Sequence, residues 1–119
     1  MQRVVRNTYD NGEVGYSLYL TRGDTGRFDF ITKRGGAETP LGEKDQLTFT
    51  VKRSTTTDEI SIQKVLVGSG DVVLDPVDTD GLPYGSYRFD VQIDTAAGDR
   101  LTVVDPRRSR FILTDEVTF

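Results

Sequence analysis

"LPYGSYRFDVQI", residues 82–93, decides the fold. From Tyr87 onward it alternates: Tyr87, Phe89, Val91 and Ile93 fall on one side, Arg88, Asp90 and Gln92 on the other. A period of two marks a strand with one buried and one wet face, whereas a helix repeats about every 3.6 residues. The same period recurs on either side of this stretch. "QLTFTVK" (46–52) sets Leu47, Phe49 and Val51 against Thr48, Thr50 and Lys52. "RFDFITK" (27–33) sets Phe28 and Phe30 against Arg27, Asp29 and Ile31, and "YSLYL" (16–20) aligns Tyr16, Leu18 and Leu20. "EISIQKVLV" (59–67) begins with Ile60 and Ile62, and "DVVL" (71–74), "RLTVV" (100–104) and "RFILT" (110–114) are shorter runs. Their Val, Ile, Thr, Phe and Tyr content suits a pleated, half-buried surface.

Turn-forming residues separate the runs: "DNG", "RGDTG", "RGG", "GSGD", "DTDGLPYG", "AAGD" and "DPRR". Gly supplies positive φ, Pro fixes φ, and Asp and Asn cap locally. At 119 residues, one domain spanning 1–119 is expected, large enough to bury roughly two thirds of its unfolded surface. Residues 1–15 are read as an N-terminal arm or hairpin, because Asn11-Gly12 favours a tight turn. Leu82, Gly85 and Tyr87 form Leu-x-x-Gly-x-Tyr at the start of a strong strand. Immunoglobulin-like sandwiches use such a Tyr as a corner, with its ring in the core and its hydroxyl bonded to an upstream backbone group. The expected fold class is therefore all-β: an immunoglobulin-like β-sandwich of seven to eight antiparallel strands.

Composition removes several chemistries. The absence of cysteine excludes disulfides, thiol catalysis and Cys-ligated zinc. The absence of histidine excludes Ser-His-Asp catalysis and His-ligated metals. A net charge of −4, from 19 acids and 15 bases, argues against a dedicated nucleic-acid binder. No apolar run is long enough to span a membrane, and the first residues carry no apolar signal-peptide region, so neither nucleic acid nor membrane is expected as a partner. No carboxylate pair is marked by an aromatic setting, and no tryptophan is present to floor a sugar site, so no enzyme activity, catalytic residue or cofactor is expected.

Four short stretches invite a functional reading. Arg22-Gly23-Asp24 spells an integrin-adhesion tripeptide, yet Gly-Asp is a common turn pair, and a turn with Asp24 as its cap is the expectation. Asp75, Asp78 and Asp80 in "DPVDTDG" form the densest acid cluster. Aligned on an EF-hand loop, the cluster puts Pro76 at the first ligand position and Tyr87 at the last, where neither can supply a carboxylate. A non-EF calcium site on those three acids is the lesser alternative to a capped turn. "GSG" (68–70) is read as a hairpin turn and not a phosphate loop. Arg107, Arg108 and Arg110 in "DPRRSR" are the candidate residues for docking an acidic partner.

The ordered set "LTRGDTGRFDF" (20–30), "DQLTFTVKR" (45–53), "DVVLDPVDTDGLPYGSYRFDVQI" (71–93) and "RFILTDEVT" (110–118) resembles a known family. It is similar to the immunoglobulin-like N-terminal domain of phage baseplate upper proteins, and to small virion proteins of phages and prophages of Gram-positive bacteria. The resemblance covers about residues 16–118 and rests on the order of its motifs. It implies a non-enzymatic structural protein of the virion, at the baseplate or tail or decorating the particle. Its partners would be other virion proteins, reached by protein–protein docking, with a homo-oligomer expected. Gly23, Asp24 and Thr25 match the family's opening turn, and Arg22 belongs to no motif. The chain departs from the family in lacking a long downstream fibre and in carrying the N-terminal segment. A cell-surface adhesin or carbohydrate-binding β-sandwich module is the alternative.

Overall fold

The computed structural model describes residues 2–7, 17–34, 37–39, 41–104 and 109–114, with side chains described over 17–30, 41–100 and 109–114. The described residues form β1 (Gln2–Asn7), β2 (Ser17–Thr21), β3 (Gly26–Arg34), β4 (Ala37–Thr39), β5 (Gln46–Lys52), β6 (Ile62–Val67), β7 (Asp71–Leu74), α1 (Pro76–Thr79), β8 (Gly85–Asp94), β9 (Arg100–Val104) and β10 (Arg110–Thr114). The fold is all-β, with two sheets and a single helical turn. No helix among the described residues is long and apolar enough to cross a membrane.

In the first sheet β3 is central. β1 lies on one edge of it, while β7 and then β4 share the other. The second sheet runs β2-β10-β8-β5-β6. β9 continues the edge of β8 that β10 begins, beyond a register shift between Val91 and Gln92. The described strands number ten, against the seven or eight expected. β1 and β4 are the additions, and neither segment carries a period of two. Two pairings are parallel, β1 with β3 and β2 with β10, where antiparallel strands were expected throughout. Burial periodicity records which face of a strand is dry, and carries no information about the partner or its direction. The arm expected over residues 1–15 is in part β1, paired to β3 of the same chain; Asn11-Gly12 lies outside the described residues.

Two turns carry the chain between sheets, one of them, 68–70, where a hairpin was expected. Residues 22–25 lead from β2 in the second sheet to β3 in the first, and residues 68–70 lead from β6 to β7 across the same divide. At the second crossing Phe30 N–H donates to the Gly70 carbonyl at 2.8 Å. A Cβ on Gly70 would sit 2.0 Å from the Phe30 carbonyl oxygen, so no side chain fits there.

The core lies between the sheets. Phe28, Phe30, Val72 and Leu74 enter it from the first sheet, and Leu47, Phe49, Val51, Tyr87, Phe89, Val91, Phe111 and Leu113 from the second. Phe49 joins the layers, with its ring centroid 6.3 Å from Phe28, 5.8 Å from Phe30 and 5.7 Å from Phe89. These separations suit offset and tilted aromatic packing. The alternation read in 46–52 and 87–93 appears here as alternate burial along β5 and β8.

The corner before β8 forms as its sequence suggests. Tyr87 is buried, and its hydroxyl donates to the Pro83 carbonyl at 2.6 Å. Just upstream, Pro76 opens α1 and the Asp78 carboxylate accepts the Asp75 N–H at 2.7 Å. Leu82 N–H closes the following turn on the Thr79 carbonyl at 3.0 Å, past Gly81 at φ +80°. Lys64, on β6, reaches across to Asp78 at 3.0 Å and fastens the second sheet to this helical turn.

Candidate functional site

The backbone of the Arg-Gly-Asp tripeptide and its arginine side chain bond to the protein's own residues. Asp24 N–H donates to the Thr21 carbonyl at 3.0 Å, closing a turn in which Gly23 takes φ +88°. Gly23 N–H donates to the buried Thr79 hydroxyl at 3.0 Å. Arg22 lies over the Tyr84 ring at 4.2 Å and donates to the Leu82 carbonyl at 3.3 Å. The tripeptide therefore locks the 22–25 crossing to the 79–84 corner, and its arginine is spent internally. Asp24 is exposed, and no hydrogen bond to its carboxylate is seen among the described residues. The turn is capped by Thr79 in place of Asp24, contrary to the sequence expectation.

The acids at 75–80 are likewise engaged in local structure. Asp78 receives both the Asp75 amide and Lys64, while Asp75 and Asp80 are exposed. Among the described residues no group of three or more acidic, His or Cys side chains is placed to hold a metal ion.

A row of cations lies on the outer face of the second sheet. Arg110 on β10, Arg88 on β8 and Lys52 on β5 are among the side chains turned away from the core, and the strand register sets them directly in line: Arg110 opposite Arg88, and Arg88 opposite Lys52. Like charges directly opposite on neighbouring strands oppose sheet formation. Beside this row a pocket of about 90 Å³ is lined by Thr50, Lys52, Ser54, Thr55, Arg88, Phe89 and Asp90. Asp90 is the only acid of the lining. Burial pushes its carboxyl above the usual carboxylate range, against the lowering pull of Lys52. The same outer face also carries the exposed apolar residues Tyr19, Val65 and Val67.

The first sheet shows the converse charge. Asp29 stands opposite Asp71 in the β3–β7 register, both pointing away from the core. One Asp71 oxygen is buried without a hydrogen-bond partner, and Arg27 stands 3.9 Å from the other.

Of the three arginines expected to dock a partner, Arg110 is exposed at the start of β10 and heads the cation row. Arg107 and Arg108 lie outside the described residues. Lys52, Arg88, Ser54 and Thr55 were not singled out from sequence. The alternation marked Lys52 and Arg88 as outward, but only long-range register aligns them. No family model matches the chain, and no curated protein matches it.

Proposed function

We propose that the chain is an immunoglobulin-like β-sandwich serving as a non-enzymatic structural protein of a phage or prophage particle. It acts at the baseplate or tail, or on the particle surface, by docking to other virion proteins and to copies of itself. The observation that carries this reading is the cation row of Arg110, Arg88 and Lys52 on one outer face, beside exposed Tyr19, Val65 and Val67. Such a row suits a surface that meets an acidic partner. The acid pair Asp29–Asp71 on the other sheet's outer face provides the complement for a head-to-tail contact between copies, which forms a ring where its rotation closes. The Tyr87–Pro83 corner and the Phe49-centred core between two sheets support the sandwich type. The adhesin alternative has less behind it, since the exposed ring of Tyr84 already bears Arg22.

Light scattering of the purified chain over a range of concentrations tests the reading. A trimer, hexamer or larger ring is expected. A strict monomer at every concentration removes self-docking from the proposal.

A further inference from the structure

We propose that β6 is a docking edge for a second copy of this chain, the two β6 strands pairing antiparallel about Val65. β6 ends the second sheet: β5 pairs with one side of it, and among the described residues no strand pairs with the other. The ladder fixes which backbone groups face that open side. Gly68 N–H donates to the Asp45 carbonyl at 2.8 Å, and antiparallel bonding alternates, so Leu66 and Lys64 turn their backbone groups to β5. Gln63, Val65 and Val67 turn theirs outward. An open row of this kind is a template for an added strand. Exposed apolar side chains gather at the same edge. Val65 and Val67 are 53% and 63% exposed, Ile60 precedes the strand, and Val77 stands on the helical turn that Lys64 reaches.

The strand is complementary to itself. Centred on Val65, two antiparallel copies set Val65 opposite its own counterpart and Gln63 opposite Val67 of the second copy. Every outward residue then finds a bonding partner, which no other register of the two strands achieves. The outward side chains of β6 carry no charge. Its one charge, Lys64, lies on the core side with Ile62 and Leu66. An inward charge ordinarily blunts an edge strand, but here the Asp78 carboxylate of the same chain neutralises it at 3.0 Å. Two copies therefore meet along this edge without repulsion between like charges. The inference rests on the self-docking part of the proposed function and adds a two-fold contact on a different surface from the cation row. Both contacts fit in one assembly, since two-fold axes stack rings into dihedral particles.

The test reads solution mass and residue-resolved amide hydrogen exchange on the whole chain at several concentrations. The expected mass is that of a dimer or another even-numbered assembly. Exchange at Gln63, Val65 and Val67 is expected to slow severalfold as concentration rises, while Lys64 and Leu66 stay protected throughout because β5 holds them. Val65→Pro deletes a donor that faces away from β5, and Val65→Lys puts a charge on the edge. Each is expected to weaken the dimer severalfold while keeping the Tm measured in dilute solution. Val65→Thr, a strand former that keeps the donor, is expected to retain the dimer. An assembly unchanged in mass by Val65→Pro and Val65→Lys overturns the β6 edge and leaves the docking reading standing. So does concentration-dependent protection that falls on other strands. A monomer at every concentration, with exchange at Val65 unchanged, overturns this edge and self-docking together.

Discussion

Lys64 and Lys52 lie on adjacent strands of one sheet and are held in opposite ways. Lys64 has the Asp78 carboxylate at 3.0 Å, half-shielded from water, and joins β6 to α1. Lys52 stands directly opposite Arg88, which stands opposite Arg110. The first charge is placed where it holds the fold together. The second stands opposite a like charge, with the Asp90 carboxylate as its counter-charge.

The core beneath both lysines sets the scale. Phe49→Ala should lower stability by about 3–5 kcal/mol in denaturant unfolding, because Phe49 is fully buried and touches aromatic rings of both sheets. A loss under about 1 kcal/mol would mean that the sheets do not meet as described. Next comes the clasp. Asp78→Ala removes the partner of Lys64 and of the Asp75 amide together, with an expected cost of about 1–2 kcal/mol. Tyr87→Phe keeps the buried ring and deletes only the bond to Pro83, so about 1 kcal/mol is expected from the same measurement.

The sign then changes. Lys52→Thr should leave stability within about 0.5 kcal/mol of the parent, or raise it, since a like-charge opposition is relieved and a β-former is gained. A clear loss there would erase the contrast between the two lysines. The smallest effect is in pH. Asp90 keeps its proton to higher pH in the folded chain than in the unfolded one, because burial disfavours its charge. The folded state therefore binds more protons within that window, and Asp90's contribution to stability falls as pH rises from the usual carboxylate range through its raised value. Asp90→Asn should flatten that part of the stability–pH curve, measured by thermal unfolding at several pH values.

Sequence carried the strands further than their arrangement. β5 and β8 were legible because their buried positions alternate without a break, and Tyr87 was legible because its corner is local. The turn at 68–70 misled because Gly-rich turn chemistry serves a hairpin and a crossing between sheets alike. The parallel contact of β2 with β10 joins residues 93 positions apart, and no short motif encodes it. The same limit governs the site. Arg110 was visible as part of a basic loop, while its alignment with Arg88 and Lys52 arises only when three distant strands take up register.

That pairing of β2 with β10 also has a consequence for biosynthesis. A nascent chain emerges from the ribosome with β2 some ninety residues ahead of the strand that must lie beside it. Until β10 follows, β2 has no neighbour in its sheet and β8 lacks the partner for its first residues. Contacts this distant slow folding, and unpaired strand edges are what stray chains add to. The two sheets can therefore close only late in translation, and stalled or shortened products ending before residue 110 should be the species that aggregate or call on chaperones.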